Sequence, residues 1–381
     1  MQKDNMKPQS SSLMTIMHFI IRKKPISIDK SKIHRILILR LDAIGDVLRT
    51  TPLIRELRKI FPKAEIDYIV SSNSKGILVG NPNINNIITI NTKIGHLSHI
   101  TRVTTYFEAA INLRKNKYDL LINLEPHWLS QFFTLLLNIP ISIGFDRAGE
   151  GFALNNKIPY DGSKNEIFKN LEILKFFGKT SRNTKLDIFI PKKDIDFAES
   201  ILKKHNLYKK KVIGFAPGIS DNTIAEERYR EWPKEKYAKL CKILINKGFF
   251  LVFIGTKKQK KLIKDIIKNL NTKDYLNMVG KTTIMQAAAF IKNCNLFIGG
   301  DSGPIHIAAA TNTNIIALFG PTSPKRAAPL TKNTYIIYKK KNNEPQKYDI
   351  YGRYLNCKNE TYMERIFPQD ILKVVYKIIK K

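Results

Sequence analysis

Short runs of apolar residues alternate with amphipathic stretches of helical spacing through the first half of the chain. Apolar runs of this kind are typical of parallel strands buried on both faces, and the amphipathic stretches between them of crossover helices. The pattern predicts strands at residues 35–40, 66–70, 86–90, 119–124 and 141–145, and helices at 48–60, 103–113, 128–137, 165–177 and 195–205. We therefore expect an α/β domain with a doubly wound sheet and right-handed crossovers.

The same alternation starts again after residue 211 and predicts a second, similar domain. Strands are expected at 212–216, 249–254, 275–279, 295–298, 315–319 and 335–338, and helices at 234–246, 258–270, 283–291, directly after Pro304, and at 369–379. The predicted boundaries are an extension at 1–32, an N-terminal Rossmann-like domain at 33–195 and a C-terminal one at 196–381. The sequence leaves open whether the last helix packs back on the N-terminal domain.

Unusual residues follow three of the predicted strands: the acids of residues 42–46, the loop at 217–220 with the tetrapeptide at 230–233, and the run GGDSGPIH at 299–306. Two such domains bind ligands in the cleft at the carboxyl ends of their strands. In the third stretch, three glycines, an acid and a hydroxyl lead into a helix of small residues. The unpaired N–H groups of that first helical turn suit an anion such as a diphosphate, although a simple tight turn would use the same residues.

The charge balance favours acidic partners. The chain has 65 Lys and Arg against 32 Asp and Glu, a formal net charge of +33, which suits phosphorylated ligands or an anionic membrane surface. A composition rich in Ile, Lys and Asn, as AT-rich coding produces, would give the same charge without any ligand. No compact basic block interleaved with aromatic residues is present, so we expect no nucleic-acid partner.

The N-terminal extension contains a short apolar segment, residues 13–21, followed by the basic triplet at 22–24. The segment is shorter than the roughly 20 residues that a membrane-spanning helix needs. Two interpretations remain: an amphipathic contact with an anionic membrane surface, or a frayed extension. The first predicts a peripheral protein on a membrane surface.

Residues 39–52, LRLDAIGDVLRTTP, resemble the opening motif of glycosyltransferase family 9, the ADP-heptose:lipopolysaccharide heptosyltransferases. Residues 215–220, 230–233 and 299–324 are similar to later motifs of the family, in the same order. The resemblance implies a GT-B fold, in which two Rossmann-like doubly wound domains face a cleft. It also implies an inverting, metal-independent enzyme without a cofactor, which uses a nucleotide diphosphate sugar, ADP-heptose, and a lipid-linked saccharide acceptor.

By this resemblance, Asp46 is the catalytic base that accepts the proton of the incoming hydroxyl. An Asp after a glycine at the start of a helix is also a common N-cap. Gly218 and Ser220 are expected to offer an N–H group and a hydroxyl to the donor phosphates. Arg230 matches a basic family position and is expected to neutralise the diphosphate, unless it is a solvated surface cation.

Asp301, Ser302 and Gly303 match the family segment that holds the donor phosphates and sugar. Because an acid repels phosphate, Asp301 is expected to bind loop amides or a sugar hydroxyl. His306 falls in the first turn of the following helix and either faces the donor or is a packed core residue.

Three further residues are candidate contacts to acceptor or donor: Gly45, Asp42 and Lys257. Asp42 stands where the family commonly has a small hydroxyl residue, and Lys257 where it commonly has an acid that holds the nucleoside. The second departure leaves open a transferase of the same fold that uses another nucleotide sugar for O-antigen or capsule assembly. A non-catalytic nucleotide-sugar binding protein is the remaining alternative, against which an intact Asp46 argues.

The residue pair Asp194 and Asp196 has the DxD form that metal-dependent glycosyltransferases use. It opens an amphipathic helix far from the strand-end motifs, where acids interact favourably with the helix dipole. We therefore expect no metal site there.

Overall fold

The computed structural model describes residues 21, 23–90, 99–125, 127–147, 149–219, 230–270, 272–341 and 362–379. Within these ranges the chain forms two six-stranded sheets in which the neighbouring strands run parallel. Ser220 and Cys357 lie outside the described residues.

The N-terminal sheet has the strand order β3-β2-β1-β4-β5-β6. Its strands are β1 (Arg35–Leu39), β2 (Glu65–Ser71), β3 (Asn86–Ile90), β4 (Leu120–Asn123), β5 (Ile141–Asp146) and β6 (Asn156–Pro159). Its helices are α1 (Ile44–Leu48), α2 (Thr51–Ile60), α3 (His99–Arg114), α4 (Trp128–Leu137) and α5 (Glu166–Leu171), the last continued by a 3-10 helix at Glu172–Phe177. The four residues from Ile36 to Leu39 are fully buried, as expected of a central strand covered on both faces.

The C-terminal sheet has the order β12-β11-β10-β7-β8-β9. Its strands are β7 (Val212–Ala216), β8 (Phe250–Phe253), β9 (Tyr275–Asn277), β10 (Leu296–Gly300), β11 (Ile315–Phe319) and β12 (Thr334–Tyr338). The helices from residue 192 onward are α6 (Lys192–Lys204), α7 (Lys234–Asn246), α8 (Lys260–Ile267), α9 (Ile284–Lys292), α10 (Gly303–Ala310), α11 (Pro324–Ala327) and α12 (Pro368–Ile379). Short 3-10 turns connect several of these elements.

The two sheets share one topology, because each has its first strand beside its fourth. At this point, between β1 and β4 in one domain and between β7 and β10 in the other, the order in which successive strands are added to the sheet changes from one side to the other. Ligands of open α/β sheets bind in the crevice outside the strand ends at such a switch point. The predicted fold class, two Rossmann-like domains facing a cleft, is confirmed.

Some predicted elements differ in detail. The pattern at residues 48–60 predicted one helix, but the chain breaks between α1 and α2, because Pro52 lacks an N–H group and cannot continue a helix from the preceding turn. Neither β6 nor α11 was predicted, since both are short and lack an apolar run.

The expected domain boundary at residue 195 falls inside α6, which packs against α9 of the C-terminal domain. The last helix, α12, packs on α7 and β12 of the same domain. Its buried residues Ile371, Leu372 and Val375 join the C-terminal core. Nowhere in the described part of the chain is a helix both long enough and apolar enough to span a membrane.

Candidate active site

The strand ends with the unusual residues meet at the two switch points. The acids of residues 42–46 follow β1, and Glu125 follows the neighbouring β4. On the other side of the cleft, Gly218 follows β7 and Asp301 follows β10. The topology therefore brings together side chains that are more than 250 residues apart in sequence.

Helices α1 and α10 cross in close contact and join the two domains at this point. A Cβ atom on Gly45 would lie 2.7 Å from Cδ2 of His306, and one on Gly303 would lie 3.2 Å from Cβ of Ile44. Real Cβ atoms essentially never approach within 3.0 Å of another heavy atom, so the first contact requires glycine. The two glycines thus allow α1, which carries Asp46, to approach the loop that carries Asp301.

Asp46 lies between two arginines. Its Oδ1 accepts a hydrogen bond of 2.9 Å from Nη2 of Arg49 and lies 3.4 Å from Nη2 of Arg40. Burial opposes ionisation of this carboxyl, but the charges of Arg49 and then Arg40 outweigh it and lower its pKa. The Asp46 side chain keeps about a quarter of its surface exposed. It is therefore an ionised, accessible carboxylate at neutral pH, ready to accept a proton.

A second pair of acids lies behind Asp46. Asp42 forms an ion pair of 2.8 Å with Arg40, and the backbone N–H of Leu41 donates to Oε2 of Glu125 at 3.3 Å. Burial, and next the negative charge of Asp42, raise the pKa of Glu125 to about 8. Burial likewise raises the pKa of Asp42. Glu125 is thus a mostly protonated carboxylic acid at neutral pH.

On the C-terminal side, Arg230 binds Asp301 twice. Its Nη2 donates to the backbone carbonyl oxygen of Asp301 and, at 3.0 Å, to Oδ2 of the same residue. Burial opposes ionisation of Asp301, but the charge of Arg230 outweighs it and lowers its pKa. Asp301 therefore fixes the Arg230 guanidinium at the end of β10, in the wall of the cleft.

His306 is 1% exposed and packs on Gly45. Burial, together with the positive charge of Arg49, lowers its pKa to about 3, so the imidazole is neutral. Its Nδ1 is buried without a hydrogen-bond partner among the described residues. His306 is therefore a packed residue that also lines the smaller cavity of the cleft, and its contact with the donor stays a prediction.

Two cavities lie side by side in the cleft. The smaller, of about 160 Å³, is lined by charged residues of both domains. These are Asp46, Arg49, Arg230, Asp301 and Arg326, and the neutral His306 lies among them. The larger, of about 290 Å³, is lined by Gly218, Gly255, Gln259 and neutral residues of the N-terminal domain, and it shares Ser302 and Gly303 with the first. We call the larger one the nucleoside cavity, after the ligand that the sequence resemblance leads us to expect there, and the smaller one the charged cavity.

The predicted candidates distribute unevenly over these cavities. Asp42 lines neither cavity and forms an ion pair with Arg40, whereas Gly45 lines the smaller cavity. Lys257 is exposed, and its Cγ faces Gly280, so a neighbour in the same turn, Gln259, lines the nucleoside cavity instead. The Gln259 amide bridges two strand ends, donating to the Ile219 carbonyl at 2.6 Å and accepting from the Thr256 N–H at 2.9 Å.

Sequence reasoning missed several residues of the charged cavity. Arg49 stands within the recognised motif but carried no assigned role, and Arg326 lies in α11, which was not predicted. Nε of Arg326 lies 3.8 Å from Oε1 of Glu166 in α5, across the domain interface. The motif similarity around residues 319–324 was the available signal for Arg326. For Glu125, which lies near Asp46 but does not line the cavity, the available signal was its position directly after a predicted strand.

Across the described ranges, no three His, Cys, Asp or Glu residues are grouped so that they could hold a metal ion. Asp194 is a buried residue in the first turn of α6, away from both cavities. A wider cavity of about 960 Å³ lies between α5 and α11, on the other side of the interface. None of the predicted site residues lines it.

Two facing Rossmann-like domains with such a cleft form the GT-B architecture. The sequence profile of glycosyltransferase family 9 (heptosyltransferase) matches residues 107–354. The chain belongs to this family and is a glycosyltransferase. The resemblance found in the motifs is thereby confirmed.

Individual proteins agree with the family match. Lipopolysaccharide heptosyltransferase 3 of Escherichia coli is 28% identical over 347 residues, covering 88% of this chain and 96% of that protein. Lipooligosaccharide heptosyltransferase 2 of Haemophilus ducreyi is 29% identical over 320 residues, covering 80% and 88%. The crystal structure of a family 9 glycosyl transferase from Veillonella parvula superposes with a TM-score of 0.76 at 23% identity, covering 93% and 98%.

Proposed function

We propose that this protein transfers a heptose from ADP-heptose to a lipopolysaccharide-type acceptor, with inversion at the anomeric carbon and without a metal ion. Family membership and the names of the relatives support the heptosyl and lipopolysaccharide parts of the proposal. The observation that carries it is the small charged cavity, which has an ionised Asp46 on one wall and the Arg230–Asp301 pair on the other.

In the proposed reaction, Asp46 accepts the proton of the acceptor hydroxyl as its oxygen attacks the anomeric carbon. The new glycosidic bond forms on the face opposite the diphosphate while the bond from the anomeric carbon to the phosphate oxygen breaks. The leaving nucleotide takes both electrons of that bond. Asp46 ends protonated and returns its proton to solvent.

Cationic and dipolar groups stabilise the departing diphosphate. Arg230 is held by Asp301, and Arg326 stays protonated because the charge of Glu166 outweighs the opposing effect of burial on its pKa. The N-terminus of α10 adds the positive end of its helix dipole, which the Ser302 side chain does not cap. In this turn Pro304 has no N–H group and the N–H of Ile305 donates to the Ser302 carbonyl, so the Gly303 N–H is the one that we propose faces the phosphate. Fixed groups of this kind need no reorganisation as the negative charge develops.

A second candidate, a transferase of the same fold with another nucleotide sugar, is favoured by one observation. No carboxylate lines the nucleoside cavity among the residues that the structure describes, and the neutral Gln259 lies there. A donor nucleotide whose ribose or base is normally bound by a carboxylate would find no carboxylate among the described residues of this cavity. The nucleotide is therefore the least constrained part of the proposal.

A thermal-shift panel distinguishes the two candidates. The purified protein is heated with ADP, UDP, GDP and CMP, and with ADP-heptose and UDP-glucose, at matched concentrations. A ligand at 100 times its Kd stabilises a protein by about 2.7 kcal/mol, so the true donor raises Tm by a few degrees. We expect ADP and ADP-heptose to do so. Stabilisation by UDP or GDP alone would contradict the proposed donor.

We further propose that the protein works as a peripheral protein on the inner face of the cytoplasmic membrane, where a lipid-linked acceptor would lie. The net charge of +33 and the basic triplet at residues 22–24 support this location. Asn155 donates to the carbonyl oxygen of Lys24 at 3.3 Å. The exposed Lys24 is thereby held beside the N-terminal domain, which we propose binds the acceptor.

A further inference from the structure

Arg49 occupies an unusual position for a buried arginine. It is the C-cap of α1 and is 7% exposed, with its guanidinium in the wall of the charged cavity. Nε donates to the Gly45 carbonyl at 3.1 Å, and Nη2 donates to Asp46 at 2.9 Å. The third nitrogen, Nη1, is buried and has no hydrogen-bond partner within the described ranges. One side of the guanidinium is thus fixed while the other remains available.

We propose that Arg49 has two roles in the transfer reaction: it positions Asp46 as an ionised base, and its Nη1 donates a hydrogen bond to an oxygen of the bound nucleotide sugar. The first role rests on the proposed function of Asp46. The second concerns donor binding and stands independently. The oxygen belongs either to the diphosphate or to a hydroxyl of the transferred sugar.

The break between α1 and α2 gives Arg49 this geometry. Because Pro52 prevents α1 from continuing, the backbone turns at Arg49 and Thr50, and the hydroxyl of Thr50 donates to the Val47 carbonyl at 2.7 Å. The Arg49 side chain can then fold back over the last turn of α1 to reach Asp46, three residues earlier. If α1 and α2 were one continuous helix, the next helical turn would stand at the place where the chain now turns at Arg49.

The two arginines beside Asp46 differ in their partners: Arg40 forms ion pairs with two acids, whereas Arg49 forms one with Asp46. Arg40 lies 2.8 Å from Asp42 and 3.4 Å from Asp46, and it also donates to the Leu124 carbonyl. Within the described residues, the hydrogen bonds that the Arg49 side chain donates go only to Asp46 and to the backbone of its own helix. A change at Arg49 should therefore alter the charge state of Asp46 while the Arg40 network stays intact.

The unpaired nitrogen points to a ligand. An arginine N–H that is buried without an acceptor loses its water and gains nothing in exchange, which costs free energy. A ligand oxygen in the cavity would restore the missing bond, with the extra strength of a charged donor. The cavity lies next to the nucleoside cavity, where the sugar end of a nucleotide sugar would extend.

Other charged and titratable groups also face Asp46, and the test has to allow for them. They are Arg40 and Asp42 in the loop after β1, Glu125 after β4, His306 on α10 and Arg326 on α11. His306 is neutral above a pH of about 3. The arginines keep their charge over the range in which enzymes are assayed, so they contribute a constant field.

The first experiment measures kcat/KM for heptosyl transfer against pH in R49Q, R49K and the control K59Q. Lys59 is an exposed residue of α2 that pairs with Glu56, so K59Q removes one charge far from the cavity. Loss of the Arg49 charge raises the pKa of Asp46, and the acid limb should move upward by about 1 to 2 pH units in R49Q. R49K should move less, and K59Q not at all. An unmoved limb in R49Q would overturn the positioning role.

The second experiment measures the affinities of ADP and ADP-heptose by calorimetry for the same variants. We expect R49Q to lose at least about tenfold in affinity for ADP-heptose. An equal loss for ADP would assign the Nη1 bond to the diphosphate, and a loss confined to ADP-heptose would assign it to the sugar. Unchanged affinities in folded R49Q and R49K would overturn the donor contact.

The two experiments separate failure of this proposal from failure of the proposed function. If Asp46→Asn transfers heptose normally, Asp46 is not the base and the positioning role of Arg49 falls with it. Calorimetry does not depend on catalysis and still decides the donor contact. Circular dichroism of each variant shows whether a lost activity reflects unfolding.

Discussion

At the scale of single residues, the site pairs carboxylates with arginines at hydrogen-bonding distance. Asp46 bound to Arg49 and Asp301 bound to Arg230 both have a lowered pKa, although burial alone would raise it. Each arginine therefore keeps its acid ionised inside the cleft, where burial alone would favour the protonated form. In the proposed reaction, the ionised Asp46 accepts the proton and the fixed Arg230 binds the diphosphate.

Glu125 provides a test of this electrostatic picture through stability. Its pKa is about 8 in the folded protein against an ordinary value of 4.5. Between these pH values, unfolding releases the proton of Glu125. The contribution of Glu125 to stability is therefore fully present below about pH 4.5 and is lost as pH rises through 8. Relative to Glu125→Gln, which cannot ionise, the wild-type Tm should fall steadily from pH 5 to pH 8.

A matched control for that measurement is Glu172→Gln. For Glu172, burial opposes ionisation, but hydrogen bonds from Lys164 and Lys175 outweigh it and lower the pKa. Any effect of this carboxyl on the pH dependence of stability therefore falls below about pH 4.5. A Tm difference between wild type and Glu125→Gln that stays flat from pH 5 to pH 8 would show that Glu125 ionises normally.

The residues of the site were predictable to different degrees. Asp46 and Asp301 stand inside motifs that follow predicted strands, and both line the cavity. Arg230 has a partner, Asp301, that no local pattern could reveal, since the two are 71 residues apart. The buried Nη1 of Arg49 depends on the turn between α1 and α2, which falls inside the single helix predicted at residues 48–60.

At the scale of elements, the contact of α1 with α10 sets the width of the cleft. The contact depends on a backbone without a side chain at Gly45, directly beneath the buried His306 ring. Because both helices carry site residues, any separation between them should move Asp46 away from the donor.

Gly45→Ala tests this contact. The new Cβ would lie 2.7 Å from a ring that has no room to move, so the helices must shift, at a cost of about 1 to 3 kcal/mol. We expect a lower Tm and a loss of kcat/KM of at least about tenfold, because small misplacements of reacting groups slow catalysis strongly. Both are measured by thermal unfolding and a transfer assay.

The control is Gly76→Ala, at another place where the two domains touch. There the added Cβ would lie 3.5 Å from Ile284, an ordinary van der Waals distance. This variant should keep wild-type activity. If Gly45→Ala were equally active, the close packing of α1 on α10 would have no role in catalysis.

The elements that the sequence predicted well are those with long apolar patterns, such as β1 and β10, which are buried on both faces. Strand β6 has the sequence NKIP and only one of its four residues is buried, so it left no apolar signal. The break after α1 depends on Pro52 and on hydroxyl groups bound to helix carbonyls, which helical periodicity does not register.

At the scale of the whole molecule, two domains of the same topology meet through polar contacts at the edge of the cleft. Nδ2 of Asn165 donates to the Ala328 carbonyl at 3.0 Å, and Arg326 lies near Glu166. Both contacts connect α5 of the N-terminal domain with α11 of the C-terminal domain. They were not predictable, because neither the pairing of α5 with α11 nor α11 itself leaves a pattern in the sequence.

The overall charge leads to a prediction about membranes. A variant lacking residues 13–24 should lose binding to vesicles that contain anionic lipid, because it lacks both the apolar segment and the basic triplet. Wild-type binding should weaken as salt is raised from about 0.05 to 0.5 M. Cosedimentation measures both effects, with a variant lacking residues 2–12 as the control. Equal binding by the 13–24 deletion would contradict a membrane role for this segment.

The central claim is that Asp46 takes the proton from the acceptor in a cleft that binds ADP-heptose. Its most direct test compares heptosyl transfer and ADP affinity in Asp46→Asn and wild type. We predict a fall in kcat of at least about a hundredfold, the usual contribution of a general base, with the Kd of ADP changed by no more than a few-fold. Transfer by Asp46→Asn at close to the wild-type rate would contradict the account.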